Sequence, residues 1–151
     1  MITILIIPGP SFNYIYTPNL PFMPATNGHI LIVDDNQEML DIVSLMLVRQ
    51  AFSVSTQSRV ADFIHEVKEL HPDLILMDKS LGWADGCDLC ALVKTDKDLQ
   101  QIPVIMFSAY HKLKEDCLFA GADAFVEKPF LMAELLKAIN ALTTPGQVNM
   151  M

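Results

Sequence analysis

Between residues 29 and 142 the apolar positions change period repeatedly along the chain. Residues 29–33 form a short apolar run, bounded by Gly28 and an acidic pair, which reads as a buried strand. Residues 36–50 then place Met39, Leu40, Val43, Leu47 and Val48 at helical spacing. Residues 52–56 predict a second strand. Val60, Phe63, Ile64, Val67 and Leu70 mark a second helix, which Pro72 ends. Residues 74–77 are a third apolar run, and 87–94 a third helix starting after Gly86. A strand over 104–107 follows Pro103, and a helix over 112–120 is closed by Gly121, a residue suited to the position after a helix end. A strand over 124–126 and a helix over 131–142 complete the pattern.

Strand and helix thus alternate five times. Uniformly apolar strands separated by such helices predict an α/β domain, a doubly wound, five-stranded parallel sheet with helices on both faces. Right-handed crossovers gather the loops that follow the strands at one edge, where sites form outside the carboxyl ends. The residues that end each strand are therefore the test of function.

Those residues are polar. The first strand ends in Asp34 and Asp35, the third in Asp78 and the fourth in Ser108, while the fifth runs into Lys128 and Pro129. Carboxylates brought together repel, which raises one or more of their pKa values. A bound divalent cation removes the conflict, and oxygen-only donors with retained waters suit Mg²⁺. Such an ion neutralises an incoming phosphoryl group, and a carboxylate beside it is placed to form an acyl phosphate. Lys128 offers a point charge to phosphoryl oxygens. Ser108 offers a hydroxyl that bonds to the phosphoryl group only once it is present.

Charge and composition narrow the partners. The 151 residues suit one ordinary domain, and a net charge of -8 repels a phosphate backbone, so nucleic acid is not expected as a partner. Residues 1–28 contain no Asp, Glu, Lys or Arg but hold Pro8, Pro10, Pro18, Pro21 and Pro24. Prolines at that density exclude a regular helix or central strand, so an uncharged, Pro-rich tail is expected, extended or loosely packed. Met23 stands just before the domain as an alternative start. The apolar run from Met1 stops at Pro8, too short to span a bilayer, with no basic residue before it. No membrane insertion and a cytoplasmic location are the expectations. Cys87, Cys90 and Cys117 do not make a disulfide framework and fit a reducing compartment.

The segments ILIVDDN, DLILMDKSLGWADG, VIMFSAY and GADAFVEKPF carry a resemblance. In this order, each with an apolar strand before its polar residue, they resemble the landmarks of the response regulator receiver domain of two-component signalling, over residues 29–142. An acidic pair alone is weak evidence; the ordered set is specific. The resemblance implies the flavodoxin-like strand order 2-1-3-4-5. It implies phosphorylation of Asp78 by a sensor histidine kinase or a histidine phosphotransfer protein, with no catalysis beyond the domain's own phosphorylation and dephosphorylation. It further implies Mg²⁺ held by Asp34, Asp35, Asp78 and the backbone carbonyl of Ser80, with Lys128 on the phosphate. Ser108 and Phe125 match the switch residues, and a cis bond before Pro129 is implied. Residues 112–142 match the surface through which phosphorylation controls a protein partner or a second copy.

Residues 143–151 read as a short tail, too few for an output domain. Output is then expected through a partner, dimerisation or onward relay, unless the chain is cut from a longer regulator. The match has departures. Leu81-Gly82 stands where the family usually carries Met-Pro, Trp83 is unusual in that loop, and Phe125 lacks the hydroxyl of the commoner tyrosine. None removes a reacting group.

Each residue also has a plainer role. Asp34 and Asp35 suit a helix N-terminus, Ser108 a cap, Lys128 the surface and Phe125 the core. A Mg²⁺-dependent phosphohydrolase is one rival, but it calls for a second carboxylate two residues after Asp78, where Ser80 stands. A phosphorylation-independent binding module is the other. Cys87 and Cys90 form C-x-x-C at a helix start, yet with Leu89 and Leu92 they continue an apolar surface and read as packing residues. The four histidines lack ligand spacing.

Overall fold

A computed structural model describes residues 27–143 in full and the backbone of two short segments, 5–8 and 13–16. The strands are β1 (Leu5–Pro8), β2 (Asn13–Tyr16), β3 (His29–Val33), β4 (Ser53–Gln57) and β5 (Leu74–Asp78), then the two-residue β6 (Ser80–Leu81) and β7 (Ala84–Asp85), and finally β8 (Val104–Ser108) and β9 (Ala124–Glu127). The helices are α1 (Gln37–Arg49), α2 (Phe63–Leu70), α3 (Gly86–Thr95), α4 (Lys114–Phe119) and α5 (Met132–Thr143).

One sheet runs in the order β1-β2-β4-β3-β5-β8-β9. Its last five strands are parallel. Numbered among themselves they give the expected 2-1-3-4-5. Alternate residues of each strand enter different cores, as the two-residue period requires. Ile30, Ile32, Leu74, Leu76, Ile105 and Phe107 pack with Leu40, Val43 and Leu47 of α1 and Leu135 and Ile139 of α5. Leu31, Val33, Ile75, Met77, Val104 and Met106 pack with residues of α2, α3 and α4 on the opposite face. Burying such a side chain fully stabilises by about 1.5–3 kcal/mol. Two-sided burial explains why these strands are apolar throughout.

Helix starts are fixed by side-chain caps. Asn36, Asp62 and Asp85 accept from the backbone N–H of Met39, His65 and Cys87. The second helix therefore begins at Phe63 rather than Val60. The helix expected over 112–120 divides into a 3₁₀ turn, His111–Leu113, and α4. Gly121 follows at φ +107°, in the left-handed region where glycine is favoured, and its N–H bonds to Leu118 O at 3.0 Å.

The Pro-rich tail, expected to be extended or loosely packed, contributes two strands to the sheet. β2 pairs antiparallel with β4, Asn13 opposite Thr56 and Tyr14 opposite Ser55, and β1 pairs antiparallel with β2. The five expected parallel strands are thus extended at one edge by two antiparallel ones. Proline excludes only central strands, and here Pro8 lies at the end of the outermost one. The rest of the 1–28 tail up to residue 26, and the C-terminal tail from 144, lie outside the described residues. Among the described residues no helix is long and apolar enough to cross a membrane.

Candidate functional site

Asp34 follows β3 and is completely buried. Its backbone N–H extends the ladder to Gln57 O at 3.1 Å, which holds it at the carboxyl edge of the sheet. Its Oδ1 accepts from Asn36 N at 2.8 Å and its Oδ2 from Lys128 Nζ at 3.0 Å. The cap of α1 is Asn36, so neither acid is used as the cap. Asp35 is exposed and accepts from Gly82 N at 3.1 Å, which ties the loop after β5 to the loop after β3. Asp78 closes β5 and is 8% exposed. Its Oδ1 accepts from Ser80 N at 3.2 Å, and its Oδ2 lies 3.4 Å from Lys128 Nζ.

One carboxylate oxygen from each of Asp34, Asp35 and Asp78 lies within 4.8 Å of the others. Burial holds the Asp78 carboxyl above its ordinary range; the Lys128 charge opposes this and the Asp34 charge adds to it. The repulsion expected from sequence is thus present, but desolvation is the larger cause. Oxygen donors so close together fit a hard divalent cation.

Lys128 reaches this cluster from beyond β9. Its backbone N–H donates to Ser108 O at 2.8 Å, and the bond to Pro129 is cis. The ammonium lies 4.3 Å from the centroid of the Phe107 ring, which supports it by cation–π attraction. Ser108, at the end of β8, is buried, and its hydroxyl oxygen accepts from Tyr110 N at 3.1 Å. Phe125 is half-buried and packs on the core under α2, α3 and α4. Among the residues singled out, Asp34, Asp35, Asp78 and Lys128 meet directly. Ser80 joins them through its N–H to Asp78, and Ser108 through its carbonyl to Lys128.

Sequence reasoning missed Gly86. A Cβ there would lie 2.2 Å from Asp78 O and 2.9 Å from Lys79 Cα. The absent side chain lets the first turn of α3 press on the end of β5, where Gly86 N donates to Lys79 O at 2.7 Å. Lys79 in turn pairs with Asp85, the cap of α3. A glycine inside a first helical turn, directly after its cap, was the available signal.

A doubly wound parallel sheet with an acidic pocket and one lysine at its carboxyl edge defines the class. Residues 30–140 match the model of the response regulator receiver domain, and the chain belongs to that family. It is 35% identical over 127 residues to the transcriptional regulatory protein GltR of Pseudomonas aeruginosa, covering 83% of this chain and 52% of that protein. It is 35% identical over 121 residues to the heme response regulator HssR of Staphylococcus saprophyticus, covering 79% and 53%. The chain therefore spans about half the length of the curated relatives it matches. Among solved structures, a signal receiver domain from Bermanella marisrubri aligns at a TM-score of 0.70 and 29% identity, over 76% of this chain and 96% of that one. The receiver domain of the sensor histidine kinase PA1611 from Pseudomonas aeruginosa, solved with magnesium in its active-site cleft, aligns at 0.66 and 28%, over 79% and 99%.

Proposed function

We propose that Asp78 accepts a phosphoryl group from the phosphohistidine of a sensor kinase or phosphotransfer protein, in a Mg²⁺-dependent reaction. The observation that carries this reading is the convergence of three carboxylates within 4.8 Å, with the Lys128 ammonium 3.4 Å from Asp78. Asp34, Asp35, Asp78 and the carbonyl of Ser80 would hold the ion, which supplies positive charge against the incoming phosphoryl oxygens. An oxygen of Asp78 forms the new bond to phosphorus as the P–N bond breaks and the imidazole departs. Lys128 now bridges Asp34 and Asp78, and it is placed to follow the negative charge onto the phosphoryl group. Ser108 turns its O–H to donate to the phosphoryl oxygen, and Phe125 follows.

That movement reaches the surface formed by residues 112–142. Its exposed apolar side chains, Leu118, Phe119 and Leu131, with Tyr110 beside them, suit a protein partner or a second copy. The receiver unit is assigned to residues 29–142, and its action to the cytoplasm. Relatives named as transcriptional and DNA-binding regulators confine the charge argument against nucleic acid to the 151 residues themselves.

Incubation with acetyl phosphate and Mg²⁺, followed by intact mass, tests the proposal. A single phosphoryl adduct, labile to base and lost in Asp78→Asn, is the expected result. Rapid multiple turnover would instead identify a hydrolase, and no adduct a binding module.

A further inference from the structure

The cysteines pair differently from their spacing. Cys87, in the first turn of α3, brings its sulfur to 3.3 Å from that of Cys117 in α4, while Cys90 is buried deeper in the same core. Cys87 is half-buried and Cys117 fully buried. An oxidant thus reaches the first, and the second is reached through it. Disulfide sulfurs stand about 2.05 Å apart, so the two need to close by little more than an ångström. We propose that Cys87 and Cys117 form a reversible disulfide that ties α4 to the start of α3.

Hydrogen peroxide is a sufficient oxidant. The Cys87 thiolate attacks one peroxide oxygen and expels hydroxide, giving a sulfenic acid. The Cys117 sulfur then attacks that sulfur and water leaves. In sum, two thiols lose two protons and two electrons, and one peroxide becomes two waters. The surroundings make the site slow at neutral pH. Burial raises the Cys87 thiol above its ordinary range and pushes Cys117 up to about 12. Lys79 favours the Cys87 thiolate, while Asp85 and Asp116 oppose it. The rate should therefore climb with pH.

The consequence is mechanical. α4 is a six-residue helix carrying the exposed Leu118 and Phe119. A bond from its interior to α3 limits how far it moves. This inference stands apart from the phosphoryl reading, and its test does not use phosphorylation.

The full chain is oxidised with peroxide, alkylated after denaturation and mapped. Tryptic cleavage, which spares the Lys128–Pro129 bond, places Cys87 and Cys90 together in 80–94, and Cys117 in 115–137. The expected product loses two alkylation sites and links these two peptides. The link persists in Cys90→Ser, disappears in Cys87→Ser and Cys117→Ala, and is reversed by dithiothreitol. Amide exchange of α4 slows in the oxidised wild type. A Cys87–Cys90 link, over-oxidation of Cys87 without any link, or a link that leaves α4 exchange unchanged would each overturn the proposal. The wild-type and Cys90→Ser maps decide it even if the Cys117 variant does not fold.

Discussion

Aspartates stand at both ends of the sheet and are held in opposite ways. At the amino ends, Asp73 accepts from the backbone N–H of His29 at 2.7 Å, and Asp123 accepts from Val104 N and Lys94 Nζ, each at 2.8 Å. Each completes a hydrogen bond at the entry to a strand. At the carboxyl ends Asp34, Asp35 and Asp78 face one another, and Asp34 and Asp78 share one ammonium. Oxygens of Asp34 and Asp78 do accept local N–H bonds, yet three charges still crowd one pocket. Residue type and nearness to a strand are the same at both edges. Crowding of like charges, rather than the lack of a local hydrogen bond, is what separates the carboxyl-edge acids from those that hold strand entries together. Substitutions at the amino edge should thus cost stability and spare phosphorylation, while those at the carboxyl edge should do the reverse.

The largest effect is expected at Asp34. Asp34→Asn leaves the fold intact but removes one of the oxygens that would hold the ion. Phosphorylation by acetyl phosphate should slow by roughly 100-fold or more. Added Mg²⁺ at about 100 times its Kd should stabilise the wild type by roughly 2.7 kcal/mol and the variant by little. Stopped-flow fluorescence of Trp83, in the loop next to Asp78, follows the rate. Wild-type rates and an unchanged response to Mg²⁺ in the variant would break the comparison at its functional edge.

Gly86→Ala comes next, and two effects compete there. Helix propensity alone favours alanine by about 1 kcal/mol. Against it stands a Cβ placed 2.2 Å from Asp78 O and 2.9 Å from Lys79 Cα, both backbone atoms with no side chain to swing aside. Overpacking of this kind costs about 3 kcal/mol, so a net destabilisation of roughly 2 kcal/mol is expected in urea unfolding, with slowed phosphorylation because Asp78 is displaced. A stabilised variant would show that α3 does not press on the site.

The parallel core and its polar edge were legible because β3, β5 and β8 are covered on both faces, which forces apolar runs that stop where the site begins. What sequence did not show depends on contacts between distant segments. The sulfur of Cys87 meets Cys117 across two helices, whereas C-x-x-C describes only one. Gly86 matters through a backbone that approaches it from β5. The edge strands β1 and β2 were hidden by prolines, which forbid only central positions. The acidic pair also resembled a helix cap until Asn36 was seen to fill that role.

A smaller effect is expected at the amino edge. Asp123→Ala removes the acceptor of the buried Val104 N–H and one partner of Lys94, at a cost of roughly 1–3 kcal/mol. Phosphorylation should stay within about twofold of wild type, since the residue lies at the opposite end of the strands. A large loss of phosphorylation in a folded Asp123→Ala protein would mean that the two edges are coupled rather than distinct.

The smallest effect is the most discriminating, because its size depends on pH. Burial raises the Asp78 carboxyl above 3.8, with Asp34 adding to the shift and Lys128 opposing it. The folded protein therefore holds that proton more tightly than the unfolded chain does. Ionising Asp78 costs stability as pH rises past 3.8, and the full cost is present above the raised value. Asparagine carries no such charge. In metal-free buffer near neutrality Asp78→Asn should melt roughly 2–4 °C above wild type, and the gap should close as the pH is lowered through the raised value. Mg²⁺ should narrow it from the other side by stabilising the wild type. If the wild type instead melts higher than the variant at neutral pH without metal, Asp78 is satisfied locally in the manner of Asp73 and Asp123, and the two edges of the sheet no longer differ in kind.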